Sequence, residues 1–290
     1  MTIAAFVDEP GPRGQRRQRV ATAVTAVVLV VVVIVAFRRL QSRGQLDGAR
    51  WRIFSQRSVW DFYLRGFLQT LRAGAVGAVL AVTIGLVLAF GRLARSAPVR
   101  WVAIAYVEAF RAVPLVLLMF FALLGLPKLG LDLGPFWSVV VGLTAYNAAV
   151  FAEIFRAGIL ALPGGQTEAA HAIGLGYWQA MRLVIVPQAF RAMVPALASQ
   201  LIVLLKDTSL GALVSYEELL RRAQITGEFS RSPLQALTVA AAFFAVVVFA
   251  LNQLARRLGR RRMASVVRGD LPADVALATG AASVIAPSGP

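Results

Sequence analysis

A few polar constellations interrupt an otherwise apolar chain. Glu108 and Arg111, and Glu153 and Arg156, are each three residues apart, a spacing that lets opposite charges pair on one helix face. Lys206-Asp207-Thr208-Ser209 breaks one apolar run, and Asn147 stands alone within another. Gln166-Thr167-Glu168-Ala169-Ala170-His171, followed by Gly174, Gly176 and Pro187, forms a polar island between apolar segments. His171 is the sole histidine and cysteine is absent, which excludes a histidine cluster, a thiolate metal site and a disulfide. His171 could act as a general base. A solvated helix-surface histidine is the simpler reading, since no nucleophile elbow or paired carboxylates accompany it. The only lysines, Lys128 and Lys206, lie outside any Gly-Lys-Ser/Thr context, so the chain carries no Walker A phosphate loop. These residues suit recognition and charge pairing better than bond-making.

Composition sets the elements that must position them. Of 290 residues 58% are hydrophobic, and the mean hydropathy of +0.71 is too high for a soluble domain of this length. The expected class is an all-α polytopic membrane protein. A formal charge of +16 would also suit a nucleic-acid binder. Here the arginines gather in loops and tails flanking apolar runs, the membrane pattern, so no nucleic-acid partner is expected.

Along the chain, residues 1–19 read as a disordered cytoplasmic tail and 20–37 as an uncharged transmembrane anchor. Arg38 and Arg39 follow where a cleaved leader would have small residues, so the anchor is retained. The polar connector 38–64 holds Trp51, Phe54, Trp60, Phe62 and Tyr63, which suit a membrane interface or simple packing on the outer rim. Its arginines fit poorly on an exported segment. A core over 65–258 contains five further spans, at 73–91, 101–126, 133–152, 192–205 and 232–255, with a loop at 158–191 and a C-terminal cytoplasmic tail at 259–290. Basic residues are slightly more numerous on the side of the N-terminus, a small bias toward cytoplasmic termini; the arginine-rich C-terminal tail and the resemblance of the 166–187 loop given below decide for both termini in the cytoplasm.

The island at 166–187 resembles the cytoplasmic Glu-Ala-Ala loop of the membrane subunits of ATP-binding-cassette (ABC) importers. Glu168, Ala169, Ala170, Gly174 and Pro187 fall on its spacing, while Val184 and Val186 replace its Ile and Leu. Tyr106-Val107-Glu108-Ala109-Phe110-Arg111-Ala112-Val113-Pro114-Leu115 is similar to the Tyr-Val-Glu-x-Phe-Arg-Gly-Thr-Pro-Leu signature of the polar amino acid permease branch. Ala152 to Gly158 and Leu204 to Leu210 resemble its Ala-Glu-Ile-Phe-Arg-Gly-Gly and Leu-Leu-Lys-Asp-Thr-Ser-Leu. Ala112, Val113 and Ala157 depart from the family's Gly, Thr and Gly.

This resemblance implies a type I ABC importer permease fold, with five core helices plus the N-terminal anchor, in a bacterial cell membrane. It implies ABC ATPase subunits docked on the loop, a second permease subunit of the same or different sequence, and an extracytoplasmic solute-binding protein. ATP and Mg would lie on the partner, with no cofactor in this chain. Small Ala169 and Ala170 would let the loop helix approach the ATPase, Gln166 or Thr167 would cap it, Gly174 and Gly176 would turn the chain at positive φ, and Pro187 with Pro195 would bend the exit. An ionisable group in lipid costs about 2.5 kcal/mol or more, so Glu108, Arg111, Glu153 and Arg156 must face protein, water or the interface, as structural ion pairs or as substrate contacts. Asn147 is a helix-helix hydrogen bond or a pathway group. Lys206, Asp207, Thr208 and Ser209 are expected to line the translocation path or its outer gate. The extra anchor and the arginine bias resemble glutamate-type permeases; a cationic group such as Lys206 or Arg111 would suit glutamate, with glutamine, arginine and histidine open. An ion-coupled secondary carrier is the alternative.

Overall fold

The computed structural model describes residues 12–269. Ten α-helices run in order: α1 Pro12–Ser42, α2 Arg57–Leu93, α3 Ala97–Ala112, α4 Leu115–Phe120, α5 Gly134–Leu160, α6 Gly164–Ala172, α7 Tyr177–Ala180, α8 Val186–Asp207, α9 Leu219–Ser230 and α10 Pro233–Gly269. Short 3-10 and π turns join them, and no strand occurs among the described residues. Five stretches are long and apolar enough to cross a membrane, and α3 with α4 makes a sixth bent by 101°. Six spans match the expected anchor plus five.

Several boundaries differ from those expected. Residues 12–19 are helical, because Arg and Gln are good helix formers and extend the apolar run of α1 by two turns. The connector shrinks to 43–56, most of it a 3-10 helix at Gly48–Ser55, while α2 starts at Arg57 and runs 37 residues, absorbing the span expected at 73–91. The span expected at 101–126 is broken at Val113 and Pro114, both extended. Proline lacks the N–H for a helix bond and pushes the residue before it out of the α region. The loop expected at 158–191 leaves the spans only at 161–176, since α5 reaches Leu160 and helix resumes at Tyr177. Residues 259–269 stay in α10. Expectations for 1–11 and 270–290 fall outside the described residues.

The core is the seam between α2 and α5. Ala73, Gly77, Ala81, Gly85 and Ala89 recur every four residues on α2 and are all buried. They face Leu143, Ala148, Phe151 and Phe155 of α5 in one cluster. A Cβ on Gly85 would stand 2.7 Å from Phe151 Cβ and 2.9 Å from the Ala148 carbonyl, so the two backbones touch there. In lipid, where apolar area gives no drive for association, such close van der Waals contact holds helices together. α1 is the opposite case: none of its apolar stretch is buried.

At one end of the bundle α9 lies across α2, a helix that the polar run 206–231 did not signal. Buried Glu218 caps it, accepting from the N–H of Leu220 and of Arg221, both at 2.8 Å. Thr70 of α2 donates toward the same carboxylate at 3.4 Å. Burial pushes the Glu218 carboxyl up to about 7, against the pull of those hydrogen bonds.

Candidate functional site

The polar island folds into a hairpin at the end of the bundle opposite α9. Pro163, with ψ 133°, starts α6, so Gln166 and Thr167 fall in its first turn and neither caps it. α6 stops at Gly174, the hairpin's only residue with positive φ, +84°. The turn closes through Gly174 N–H to His171 O at 3.0 Å and Leu175 N–H to Ala170 O at 3.1 Å. Gly176, expected to need positive φ as well, is ordinary extended backbone at φ −68° and serves as the N-cap of α7. His171 is exposed, its Nδ1 2.9 Å from Leu175 O, a local turn contact and no base geometry.

Which faces are free decides what the hairpin can do. Gln166, Thr167, Glu168 and Ala169 are exposed, as are Ile173 and Trp178 at 77% and 71%. Ala170, expected on a contact face with Ala169, is 3% exposed and packs into its own chain. The exposed surface therefore includes Gln166 to Ala169, His171, Ile173 and Trp178. The hairpin is tied back at two points. Gln188 Nε2 donates to Gln166 Oε1 at 3.1 Å, and the Arg95 guanidinium stacks over the Tyr177 ring at 5.1 Å. Between these ties a cavity of about 260 Å³ separates it from the ends of α2 and α5, lined among others by Leu93, Ile159, Leu162 and Met181. Pro187 sits in the first turn of α8 behind a π turn at Met181–Ile185. The helix runs on as one stretch from Tyr177 to Val214, through both Pro187 and Pro195. A π turn releases one ladder bond where a proline cannot donate, which absorbs its effect locally.

One residue before the C-terminus of α2, at Arg92, sits a charge cluster. Arg92 contacts Glu153 of α5 directly and lies 3.9 Å from Glu108 of α3. Arg156 pairs with Glu153 at 2.7 Å, the one expected pair that forms. Glu108 does not pair with Arg111: the turn at 94–96 folds α3 back beside α2, and Arg92 reaches Glu108 first. Arg111 is exposed and in no ion pair among the described residues. Arg92 was missed because it closes an uncharged run and reads as an ordinary membrane-flanking arginine. Its only sequence signal was its place on the same helix as that run.

Deeper in the bundle Asn147 is fully buried. Its Nδ2 donates to Leu143 O at 3.0 Å and its Oδ1 accepts from Gln200 Nε2 at 2.9 Å, so it bonds α5 to α8. Gln200, the other half of that bond, was missed, although a lone Gln in an apolar helix was the available signal. At 206–209 the chain stays helical. α8 tightens into a 3-10 helix at Thr208–Val214, and buried Thr208 donates to Leu205 O at 2.6 Å. Lys206 is exposed, Asp207 and Ser209 are half-buried, and Lys206 does not pair with Asp207. No hydrogen bond or ion pair joins Arg111, Asn147 and 206–209 to one another among the described residues. Among the described residues no group of three or more His, Cys, Asp or Glu could hold a metal.

Comparison with known proteins follows the same geometry. The model of the family described as binding-protein-dependent transport system inner membrane component matches residues 81–264. The glutamate transport system permease protein GluD of Corynebacterium glutamicum is 38% identical over 240 residues, 81% of this chain and 88% of its own. The arginine transport system permease protein ArtQ of Bacillus subtilis is 34% identical, covering 69% of this chain and 92% of its own. Among solved structures, an amino acid ABC transporter with histidines superposes at a TM-score of 0.68 and 30% identity, over 72% of this chain and 97% of that one. The MetNI methionine transporter, at 22% identity and a TM-score of 0.60, shares the fold.

Proposed function

The chain belongs to the family of binding-protein-dependent transport system inner membrane components, and from that premise we propose that it carries glutamate, with its hairpin as the grip of the motor. It is the multi-pass permease subunit of an ATP-driven amino acid importer, and ATP is hydrolysed on a separate subunit. Its relatives lend no support to an ion-coupled carrier. Glutamate is favoured by GluD, whose match extends over 81% of this chain. ArtQ, matched over less of it, is named for arginine.

The observation that carries the mechanism is an exposed helix, α6, tied to the bundle at few points over a cavity. Gln166, Glu168 and Ala169 contact the ATPase, Gly174 and Gly176 shape the hairpin, and Ala170 and Pro187 anchor it to the bundle. ATP with Mg is bound by the partner. When the ATPase closes, the hairpin is displaced, and Arg95 on Tyr177 passes that displacement to the turn between α2 and α3. Arg92 then carries it to α3 and α5 through Glu108 and Glu153. The cavity changes side because nucleotide-bound ATPase binds one arrangement better than the other, a population shift. A second permease subunit completes the path, which Arg111, Lys206 and Ser209 line. The hairpin and both termini face the cytoplasm, and the external binding protein meets the α9 end.

Glu168→Lys reverses a charge on an exposed residue, so the protein should reach the membrane at normal levels but lose co-purification with its ATPase by about tenfold or more. Unchanged co-purification would remove the hairpin from the interface. Single cysteines at positions 45 and 172 should label from opposite sides of the membrane; labelling from one side overturns the topology.

A further inference from the structure

Two of the connector's arginines, out of place on an exported segment, line a cavity. It measures about 450 Å³ and lies between the 3-10 helix Gly48–Ser55 and the turn from α9 to α10, lined by Arg50, Arg52, Ser55, Gln56, Ser230 and Ser232 among others. Arg50 ties its two walls together. Nε donates to Gly44 O at 2.7 Å and Nη1 to Arg231 O at 2.6 Å, which leaves Nη2 without a protein partner among the described residues. Gln235 Nε2 fixes the same junction by donating to Gln45 O at 2.5 Å. The serine protons are already committed: Ser55 donates to Arg52 O, Ser230 to Thr226 O and Ser232 to Ser230 O. The donors left for an occupant are Arg50 Nη2, the Arg52 guanidinium and the Gln56 amide. Two of the three carry positive charge, so the occupant is an anion.

Depth and surroundings narrow which anion. α1 ends at Ser42, α2 starts at Arg57 and α10 at Pro233, so the cavity lies level with the ends of three spans. Trp51 on the connector and Trp60 in the first turn of α2 are 44% and 39% exposed, and such amphipathic rings settle at headgroup depth. Arg43, Arg57 and Arg65 are exposed and pair with no carboxylate among the described residues, outnumbering exposed Asp47 and Asp61. We propose that this cavity binds the phosphate headgroup of an anionic phospholipid, held by Arg52 and the unused nitrogen of Arg50. Guanidinium forks match phosphate oxygens, and basic groups beside a membrane draw anionic lipid. The bound lipid would seat the connector, the sole covalent link between the core and the unpacked α1.

The test uses the whole importer complex, purified, placed in nanodiscs of phosphatidylglycerol and phosphatidylcholine, and weighed with its retained lipids by native mass spectrometry. Phosphatidylglycerol should be retained about tenfold over phosphatidylcholine, and R52Q should abolish that preference. Arg52 makes no side-chain hydrogen bond among the described residues, so an unchanged melting temperature should accompany R52Q. Equal retention of both lipids by the wild type, or an undiminished preference in R52Q, overturns the proposal. Displacement of the lipid by millimolar inorganic phosphate also overturns it, since the site would then belong to a soluble anion.

Discussion

α1 and α2 are both long apolar helices, yet α2 buries one stripe along its length while none of the apolar stretch of α1 is buried. The difference lies in side-chain size. α2 presents Ala73, Gly77, Ala81, Gly85 and Ala89 in one stripe, a groove that α5 enters. From Val27 to Val35 α1 is ringed by Val, Leu and Ile, which leave no small-residue groove over those nine positions. Hydropathy puts a helix into the bilayer; small residues in register decide whether it meets protein or lipid there.

The sharpest way to break the contrast is Gly85→Leu. Its Cβ would meet Phe151 and two backbone atoms of α5 within 3.2 Å, and backbone cannot step aside. A loss beyond the usual 1–3 kcal/mol of overpacking is expected, read as disappearance of the monodisperse peak in size-exclusion chromatography. A normal peak would mean that the seam is looser than drawn.

A smaller effect tests the far end of α2, where Glu218 docks α9. Its carboxyl stands at about 7 when folded, above the ordinary 4.5, so folding favours the protonated form. The stability this adds is fully present below about pH 4.5 and is lost as pH rises through about 7. The stability of the detergent-purified chain should therefore fall between about pH 5 and pH 8 through this group, by at most ~1.4 kcal/mol per pH unit, read as a falling melting temperature. Glu218→Gln should flatten that slope; identical slopes would place the titration elsewhere.

The smallest effect belongs to α1. Replacing Val28, Val31 and Ile34 together by leucine alters a surface that faces only lipid, so core stability should move by no more than about 0.5 kcal/mol. A larger shift in melting temperature would mean that α1 packs on the core after all.

What the sequence revealed and what it hid divide along local and tertiary lines. Each span was legible because about 20 apolar residues suffice to cross a bilayer, whatever surrounds them. The hairpin was legible because Pro163, Gly174 and Pro187 punctuate it. The 101° break was not, although Pro114 marks its place: proline ends a helix but does not say where the chain goes next. Pairing Glu108 with Arg111 failed because three-residue spacing is a rule for isolated helices, and α2 brought a nearer partner in Arg92. α9 went unseen because its cap is a buried carboxylate bonded to α2, a contact 148 residues away.

Gly174 has open space around it: a Cβ there would meet nothing within 4 Å. What the turn demands at φ +84° is handedness, not smallness. L-alanine at that site would cost about 1 kcal/mol although it clashes with nothing, whereas its mirror image would fit without strain. The hairpin thus hangs on one residue chosen for having no chirality.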